Sequence, residues 1–391
     1  MTPAARLQAA IEILDLIIES ARDDGPPADA LVTRYFKTRR YAGSKDRPAV
    51  RELVFRGVRR TAERPESGRA AIIGLLQDDP DLHALFGVPR GPEPLREGEP
   101  SSRAGIVPEW LKPELSPLVE SEEWPALIER APLDLRVNIA RISRDAMISA
   151  FPGAQPTPLS AWGLRLPSST PINDSPAYRE GLVEVQDEGS QLIALACEPR
   201  SKQRILDLCA GAGGKALALS AASPDATILA ADTNRARLSK LAPRAGRAGA
   251  RIETRLLNPG RELDQLEDWR DAADLVLVDA PCSGSGTWRR NPEGRWRLTP
   301  NRLDALVALQ RRLLETAAEL VRPGGAVVYA VCSLLSREGA GQIRDFLSGR
   351  SSWIEEETPI GAGRLEGKGR LLTPAHDATD GFFIARVEKS C

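Results

Sequence analysis

Two cysteines lie at the ends of apolar runs of the sequence, at positions where they could take part in covalent chemistry. Cys282 follows the run DLVLVDA at 274–280, and Cys332 ends the run VVYAVC. A thiolate is a strong nucleophile, and Asp279, just before Cys282, could bind or orient a polar substrate. A single cysteine at the end of a strand is usually an inert core residue. Two of them near an aspartate favour a reactive site instead.

A glycine-rich turn in LDLCAGAGGKALAL, at 206–219, indicates a binding site for a cofactor. Its glycines allow a tight turn and a close approach of the backbone to a ligand. The turn fits the loose dinucleotide pattern GxGxxA, but position 216 is alanine, so the phosphate-binding pattern GxxxxGKS/T is not met. Asp232 ends the next apolar run. Its carboxylate could accept both ribose hydroxyls of NAD or of S-adenosylmethionine (SAM), or it could cap the helix that follows.

Short apolar runs alternate with helical patterns after about residue 180. The runs lie at 204–209, 227–232, 251–257, 274–280, 325–331 and 381–387. Continuous apolar strands separated by helices predict an α/β fold with a doubly wound, mainly parallel sheet. Ligands bind such sheets outside the carboxyl ends of the strands. The glycine-rich turn and both thiols are therefore expected at one edge of the sheet.

The residues before this sheet predict further domains. Residues 1–86 carry helical periodicity and predict an all-helical domain, 87–105 a linker rich in proline and glycine, and 106–179 a small mixed α/β segment. Residues 180–391 then form the α/β domain. Between Arg34 and Arg69 there are twelve basic and four acidic residues, which could face phosphates or form a solvated helix face. Four aromatic residues there could stack on bases or belong to the core: Tyr35, Phe36, Tyr41 and Phe55.

The composition excludes several classes of protein. The chain has 391 residues, 42% of them hydrophobic, and a net charge of −1, so any affinity for nucleic acid must come from local patches. Five scattered cysteines without a CxxC pair, and only two histidines, argue against a structural zinc site and against a disulfide framework. No signal peptide and no apolar run near 18 residues is seen. We expect a soluble cytoplasmic protein, a monomer, with no metal and no membrane partner.

Taken together, the motifs resemble one known family. AGAGGK, DAPCSGSGTWRRNP and YAVCS, with QDEGSQL at 186–192 and DGFFIA at 380–385, are similar to the RsmB/Nop/Sun family of RNA cytosine-5 methyltransferases. The resemblance spans about residues 106–389. RPAVRELVFRGVRR, at 47–60, resembles the NusB-like RNA-binding domain of bacterial members that act on small-subunit ribosomal RNA. The resemblance implies a Rossmann-like methyltransferase that transfers a methyl group from SAM to carbon 5 of a cytosine.

The resemblance also assigns roles to individual residues. Cys332 is implied as the nucleophile that adds to carbon 6 of cytosine, and Cys282 as the residue that helps to release the product. Asp279 is implied to bond the N3–N4 edge of the base. The residues implied to contact SAM are Cys209, Ala210, Gly211, Ala212, Gly213, Gly214, Lys215, Asp232, Asn258 and Asp279. At Asn258 the family usually has aspartate, and an amide oxygen can still accept a bond from the adenine amino group.

Basic residues behind Cys282 predict contacts with RNA. Arginines cluster there against one acid, Glu293, and we expect phosphate contacts from Arg289, Arg290, Arg295 and Arg297, with ion pairs inside the protein as the other interpretation. Arg136 and Asn138 could also touch RNA or form a polar pair at a strand edge. A target base must leave its helix or loop to reach the site, which costs a few kcal/mol.

Four other functions stay open at this point. The same chemistry could act on large-subunit ribosomal RNA or on tRNA. An NAD-dependent oxidoreductase could use the same glycine-rich turn, although it would leave both thiols unexplained. A DNA cytosine methyltransferase would place its nucleophile at the Pro-Cys motif, which is Cys282 here. A non-catalytic RNA-binding or ribosome-assembly factor could retain the methyltransferase scaffold.

Overall fold

The computed structural model describes residues 1–39 and 41–391, and they fall into two compact units. The helical unit contains Met1–Leu115, Glu120–Arg130 and Thr287–Pro300, and the α/β unit contains Ser116–Val119, Ala131–Gly286 and Asn301–Cys391. These bounds differ from the division drawn at residues 86, 105 and 179. The helical unit runs on through the predicted linker, and it takes one segment from within 180–391 because Trp296 of that segment is buried in the helical core.

The bounds of the elements are as follows. The helices are α1 (Pro3–Arg22), α2 (Ala28–Lys37), α3 (Asp46–Arg60), α4 (Gly68–Leu75), α5 (Arg144–Ile148), α6 (Pro176–Arg179), α7 (Glu188–Ala196), α8 (Gly214–Ala222), α9 (Arg235–Leu238), α10 (Leu241–Ala248), α11 (Glu262–Gln265), α12 (Gly294–Arg297), α13 (Pro300–Leu320), α14 (Ala340–Leu347) and α15 (Pro374–Asp377). The strands are β1 (Leu133–Val137), β2 (Gln155–Pro156), β3 (Gly163–Leu166), β4 (Val183–Val185), β5 (Arg204–Asp207), β6 (Thr227–Asp232), β7 (Glu253–Leu256), β8 (Ala273–Asp279), β9 (Val321–Val331), β10 (Trp353–Glu356), β11 (Arg364–Glu366), β12 (Gly369–Leu372) and β13 (Phe382–Lys389).

The helical unit is built around α1. Thr2 caps this helix, since its hydroxyl oxygen accepts the Ala5 N–H, and a proline at the first helical position suits the missing donor there. The apolar stripe of α1 is buried against α3 and α4. Tyr35, Phe36 and Phe55 are each 5–6% exposed within this core. The interpretation that these three rings stack on bases is therefore wrong, whereas Tyr41 is 72% exposed.

Much of the basic charge of the helical unit is already paired. Ion pairs join Arg39 to Glu12, Arg51 to Asp29, Arg56 to Asp79, Arg60 to Asp78 and Arg69 to Glu99. Where both partners are exposed, as for Arg51 and Asp29, such a pair is worth about 0–1 kcal/mol. The Arg60 side chain, in contrast, is buried. The solvated helix face thus accounts for much of the basic excess. Arg40 lies outside the described residues.

The α/β unit confirms the predicted fold class. Within the described residues, nine strands form one sheet in the order β11-β12-β13-β9-β8-β5-β6-β7, with β10 also paired to β13. The strands from β9 to β7 are parallel, and β13 runs antiparallel to β9. Consecutive residues such as Ile205 and Leu206 point to opposite faces of the sheet, and both are fully buried. Burial on both faces explains why these strands read as continuous apolar runs.

A smaller antiparallel sheet, in the order β2-β3-β1-β4, belongs to the same unit. An ion pair across β1 and β3, from Arg165 to the buried Asp134, joins two of its strands. Its position matters for function because Arg136 on β1 reaches the glycine-rich turn, and Glu184 on β4 pairs with Arg244. Over the described chain, no helix combines the length and the apolar character that a membrane crossing requires.

Candidate active site

The glycine-rich turn connects β5 to α8 at the carboxyl edge of the parallel strands. The turn is tied to neighbouring strands because the Leu208 N–H donates to the Leu277 carbonyl and the Ala210 N–H to the Ala231 carbonyl, each at 2.9 Å. Gly213 has φ +80°, and a Cβ there would lie 2.0 Å from a methyl carbon of Leu241. The positive φ and the close approach of Leu241 both favour glycine here, so this residue lets the turn pack tightly against α10.

Two arginine side chains donate hydrogen bonds to backbone carbonyl groups of this turn. Arg136 on β1 donates to the Gly214 carbonyl, and Arg244 on α10 donates to the Ala212 carbonyl, each at 2.6 Å. Arg136 is only 4% exposed, and burial lowers its pKa to about 10. Asn138 donates to the Gly181 and Ala248 carbonyls. The interpretation that Arg136 and Asn138 touch RNA is therefore wrong, because both side chains are committed inside the protein.

Asp232, at the end of β6, faces the turn. Its carboxylate oxygens accept the Gly211 N–H and the Asn234 N–H, each at 2.6 Å, and the side chain is buried. Two roles were predicted for Asp232, namely binding the ribose hydroxyls and capping the helix that follows. Both are compatible with this geometry, because each carboxylate oxygen keeps a further lone pair. The contact with ribose stays a prediction.

Asp207 is a site residue that the sequence interpretation missed. It is 1% exposed at the end of β5, and neither carboxylate oxygen has a hydrogen-bond partner of good geometry in the described chain. Burial raises the pKa of Asp207 to about 7, and the Asp279 carboxylate contributes to this increase. A buried acid without a partner is costly unless a ligand supplies one. The signal available in the sequence was an acid inside the apolar run RILDLC.

Lys215 and Asp279 form an ion pair between the turn and the end of β8. The Lys215 Nζ lies 2.6 Å from an Asp279 oxygen, and the Asp279 side chain keeps 30% of its surface exposed. Burial opposes the charge of Lys215, but the Asp279 carboxylate outweighs it and raises the pKa of the lysine. The pair therefore holds Asp279 beside the glycine-rich turn with part of its carboxylate open to a ligand.

The two cysteines meet at the same edge of the sheet. The sulfur atoms of Cys282 and Cys332 lie 3.3 Å apart, and both side chains are partly exposed. Cys332 follows β9, and Cys282 follows β8, its parallel neighbour. The hydrogen bond to Cys332, then burial, raises the pKa of Cys282 well above its ordinary value. The thiol of Cys282 is thereby kept protonated beside Cys332.

Cys209 in the turn and Asn258 at the end of β7 are two further residues predicted to contact SAM. Burial raises the pKa of the Cys209 thiol well above its ordinary value. Asn258 follows β7 and is exposed, and its backbone N–H donates to the Gln265 side chain. The predicted adenine contact of Asn258 stays a prediction.

The four predicted RNA-binding arginines divide into two groups. Arg295 is 1% exposed, and its guanidinium donates to the carbonyls of Val58, Ile106 and Pro292 in the helical unit. Arg297 donates to the carbonyls of Ser20, Gly25 and Pro26. The phosphate contacts predicted for these two arginines are wrong here, because their donors are already used in the protein.

Arg289 and Arg290 form the other group. Arg289 is 8% exposed and Arg290 is partly exposed, and both make interactions within the protein. Their phosphate contacts stay a prediction. Among the described residues, histidine, cysteine and acidic side chains form no group of three or more that could bind a metal.

The residues at this edge fit SAM. The cofactor carries an ammonium group and a sulfonium, and the unpartnered Asp207 carboxylate beside the glycine-rich turn supplies a buried acceptor for a cation. Asp232 supplies oxygen acceptors suited to hydroxyl groups. The residues present therefore match the charge and the polarity of this cofactor.

Comparison with known proteins gives consistent matches. A model of the family described as 16S rRNA methyltransferase RsmB/F matches residues 194–388. The chain is 33% identical over 303 residues to ribosomal RNA small subunit methyltransferase B of Salmonella arizonae, covering 75% of this chain and 69% of the relative. It is 35% identical over 307 residues to the protein of the same name from Xanthomonas campestris pv. campestris, with the same coverage.

A solved structure shares the fold. The chain is similar to a methyltransferase homolog protein from Pyrococcus horikoshii, with 26% identity and a TM-score of 0.61. The match covers 71% of this chain and 92% of that protein.

Proposed function

Because the chain belongs to the RsmB/F family of 16S rRNA methyltransferases, we propose that it methylates carbon 5 of a cytosine in small-subunit ribosomal RNA. The enzyme uses SAM as the methyl donor, so hydride transfer with NAD is no longer an alternative. We further propose that it works as a monomer in the cytoplasm, where its RNA substrate is made.

One observation supports this chemistry above the others, namely the pair of thiols 3.3 Å apart beside Lys215 and Asp279. Carbon 5 of cytosine is a poor nucleophile. When the Cys332 sulfur adds to carbon 6, the ring becomes an enamine and carbon 5 becomes nucleophilic. A reaction that activates its substrate in this way needs a thiol at the strand end, and a simple binding protein does not.

SAM supplies an electrophilic methyl group when it is bound. We assign its binding to the glycine-rich turn, to Asp232 and to Asp207, which would accept a hydrogen bond from a cationic group of the ligand. Asn258 is assigned to the adenine ring. These residues hold the cofactor at the carboxyl edge of the parallel strands, as expected for an α/β sheet of this kind.

Asp279 is assigned to the base. Its carboxylate is held by Lys215 and keeps 30% of its surface exposed. It can accept a hydrogen bond from the N4 amino group of cytosine, and from N3–H in the ring form that is protonated at N3. Uracil presents a carbonyl where cytosine presents an amino group, and two facing acceptors repel each other. The site therefore selects cytosine over uracil.

The final step releases the product. The carbon-5 proton passes to solvent water, and its electron pair restores the double bond between carbons 5 and 6. The bond between carbon 6 and the Cys332 sulfur breaks, and its electron pair returns to the sulfur as a thiolate. Cys282 is assigned to this release, because its thiol contacts the sulfur that must depart. A protonated thiol can donate a hydrogen bond to that sulfur as negative charge develops on it.

The test is methyl transfer to purified small-subunit rRNA, with large-subunit rRNA and tRNA as alternative substrates. The purified protein and radiolabelled SAM are incubated with each RNA, and the modified position is mapped by bisulfite sequencing. We expect one protected cytosine in the small-subunit RNA. Label in another RNA class would replace the substrate assignment, and no label in any RNA would favour the assembly-factor alternative.

A further inference from the structure

A buried carboxylate lies directly behind the two thiols. Glu338 follows Cys332 in the chain and is 0% exposed. Its Oε1 atom accepts the Ser283 N–H and the Gln310 side-chain amide, each at 2.9 Å, and its Oε2 atom accepts the Ser333 hydroxyl at 2.6 Å. Three donors from three separate stretches of chain thus meet at one carboxylate.

These donors belong to the segments that carry the thiols. We define the first thiol loop as residues 282–286 and the second thiol loop as residues 332–335. Ser283 lies in the first loop and Ser333 in the second, each next to its cysteine. Because Glu338 accepts hydrogen bonds from both, it joins the two loops through its own side chain.

Serine hydroxyl groups extend this connection. The Ser283 and Ser333 oxygens lie 3.1 Å apart, and the Ser285 and Ser333 oxygens lie 3.2 Å apart. The Ser285 hydroxyl also accepts the Leu334 N–H at 2.8 Å. Ser285 and Ser333 are at most 1% exposed, so water does not compete for these bonds.

Glu338 is itself held in place. The Tyr329 hydroxyl donates to the Glu338 backbone carbonyl at 2.6 Å, and Tyr329 is fully buried on β9. Gln310 on α13 donates to the Pro281 carbonyl as well as to Glu338. The carboxylate is therefore fixed relative to β9 and α13, and the loops are fixed relative to it.

We propose that Glu338 is a positioning residue for the reaction, whose carboxylate ties the two thiol loops together and sets the contact between the Cys282 and Cys332 sulfur atoms. It touches neither thiol through a hydrogen bond of its own, so it acts through Ser283 and Ser333. Its charge also contributes to the raised pKa of Cys282, after the larger effects of Cys332 and of burial.

The first test uses the rate of disulfide formation to compare how close the two thiols lie, in the absence of RNA and SAM. Diamide oxidises two adjacent thiols to a disulfide and takes up two electrons and two protons as it becomes a hydrazine. The rate of the Cys282–Cys332 disulfide is followed by peptide mapping under non-reducing conditions. We expect Glu338→Ala to form it about tenfold more slowly than the wild type, because the loops separate.

Methyl transfer gives the second measurement, and this part rests on the proposed function. A displacement of about 1 Å costs roughly 100-fold in rate, so we expect kcat of Glu338→Ala to fall about 100-fold while Kd for SAM stays within about twofold. Glu338→Gln keeps the Oε1 acceptor and should restore most of the disulfide rate. Glu315→Ala, at an exposed acid on α13, is the matched control and should behave as the wild type.

The outcomes are distinct. If Glu338→Ala forms the disulfide at the wild-type rate, or keeps kcat within about threefold, the positioning role is overturned. Should this variant fail to fold, Ser333→Ala decides, since it removes one bond between the loops: a slower disulfide supports the role and an unchanged rate refutes it. An enzyme without methyl transfer but with the expected disulfide rates would contradict the proposed function alone.

Discussion

The segment that runs from β8 to α13 contributes to two regions of the molecule, and its polar residues serve opposite purposes in them. Up to Gly286 it belongs to the α/β unit, where Cys282 and Asp279 keep part of their surface open. From Thr287 to Pro300 it belongs to the helical unit, where Arg295 gives its donors to backbone carbonyls.

The two regions differ in whether their buried charged side chains have hydrogen-bond partners. Burial lowers the pKa of Arg295 to about 10, yet the guanidinium has carbonyl partners on several sides. Asp207 is equally buried and has no partner of good geometry in the described chain. The hydrogen bonds of Arg295 offset the cost of burying its charge, whereas the Asp207 carboxylate, beside the glycine-rich turn, leaves its oxygens available to a ligand.

The largest expected effect is at Cys332. Replacing the nucleophile should lower methyl transfer by at least about 1000-fold, because the serine hydroxyl is a far weaker nucleophile than the thiol it replaces. For Cys332→Ser, SAM binding by calorimetry should stay within about twofold of the wild type. Cys391→Ser, at an exposed cysteine, is the control. Normal turnover by Cys332→Ser would overturn the assignment of the nucleophile.

Cys282→Ala should slow turnover about 100-fold and trap the enzyme on its substrate. Without the Cys282 thiol, departure of the Cys332 sulfur is slow, so a covalent protein–RNA adduct accumulates on denaturing gels. The double variant with Cys332→Ser should form no adduct. If the adduct persists in the double variant, the bond to RNA comes from another residue.

Arg295→Met should act on stability rather than on RNA. Removing the guanidinium leaves buried carbonyls without donors, and we expect the free energy of unfolding in urea to fall by about 3 kcal/mol. The salt dependence of RNA binding should not change. Arg103→Met, at an exposed arginine of the same unit, should leave both quantities unchanged. If RNA binding by the variant depends less on salt while the free energy of unfolding is unchanged, Arg295 contacts RNA and the prediction is wrong.

The smallest effect is a pH dependence at Asp207. Its pKa of about 7 means that the carboxylate becomes protonated as the pH falls, and the protonated form attracts a cation less. From pH 7.5 to pH 6.0 the ionised fraction drops about eightfold, so Kd for SAM should rise by about that factor. Asp207→Asn should bind weakly at both pH values, and Asp225→Asn, at an exposed acid, should follow the wild type.

The sheet was predictable because its strands are short apolar runs between turns. The run at 227–232 coincides with β6, and the run at 204–209 begins where β5 begins. Strand β9 begins at Val321, earlier than the predicted residue 325, because Val321 already pairs with Ala273, ahead of a shift in register at RPGG. Strand boundaries depend on such neighbours, which periodicity does not contain.

Some residues of the candidate site could likewise be predicted from the sequence, and others could not. The motif residues around Cys282, Cys332 and Gly213 could be found from residue type and spacing. For Asp207 the sequence offers only an acid inside an apolar run, since its burial and its missing partner exist only in the folded chain. The roles of Arg295 and Arg297 depend on carbonyl groups far away in the sequence, so a count of positive charge assigned them to RNA.

The passage of Thr287–Pro300 through the helical unit also affects how this protein is synthesised. When the ribosome has made the first 115 residues, the helices are complete, but Trp296 and Arg295 do not yet exist. The nascent helices must wait for nearly two hundred more residues before their core closes. Until then the unfilled apolar surface is one that a chaperone could shield.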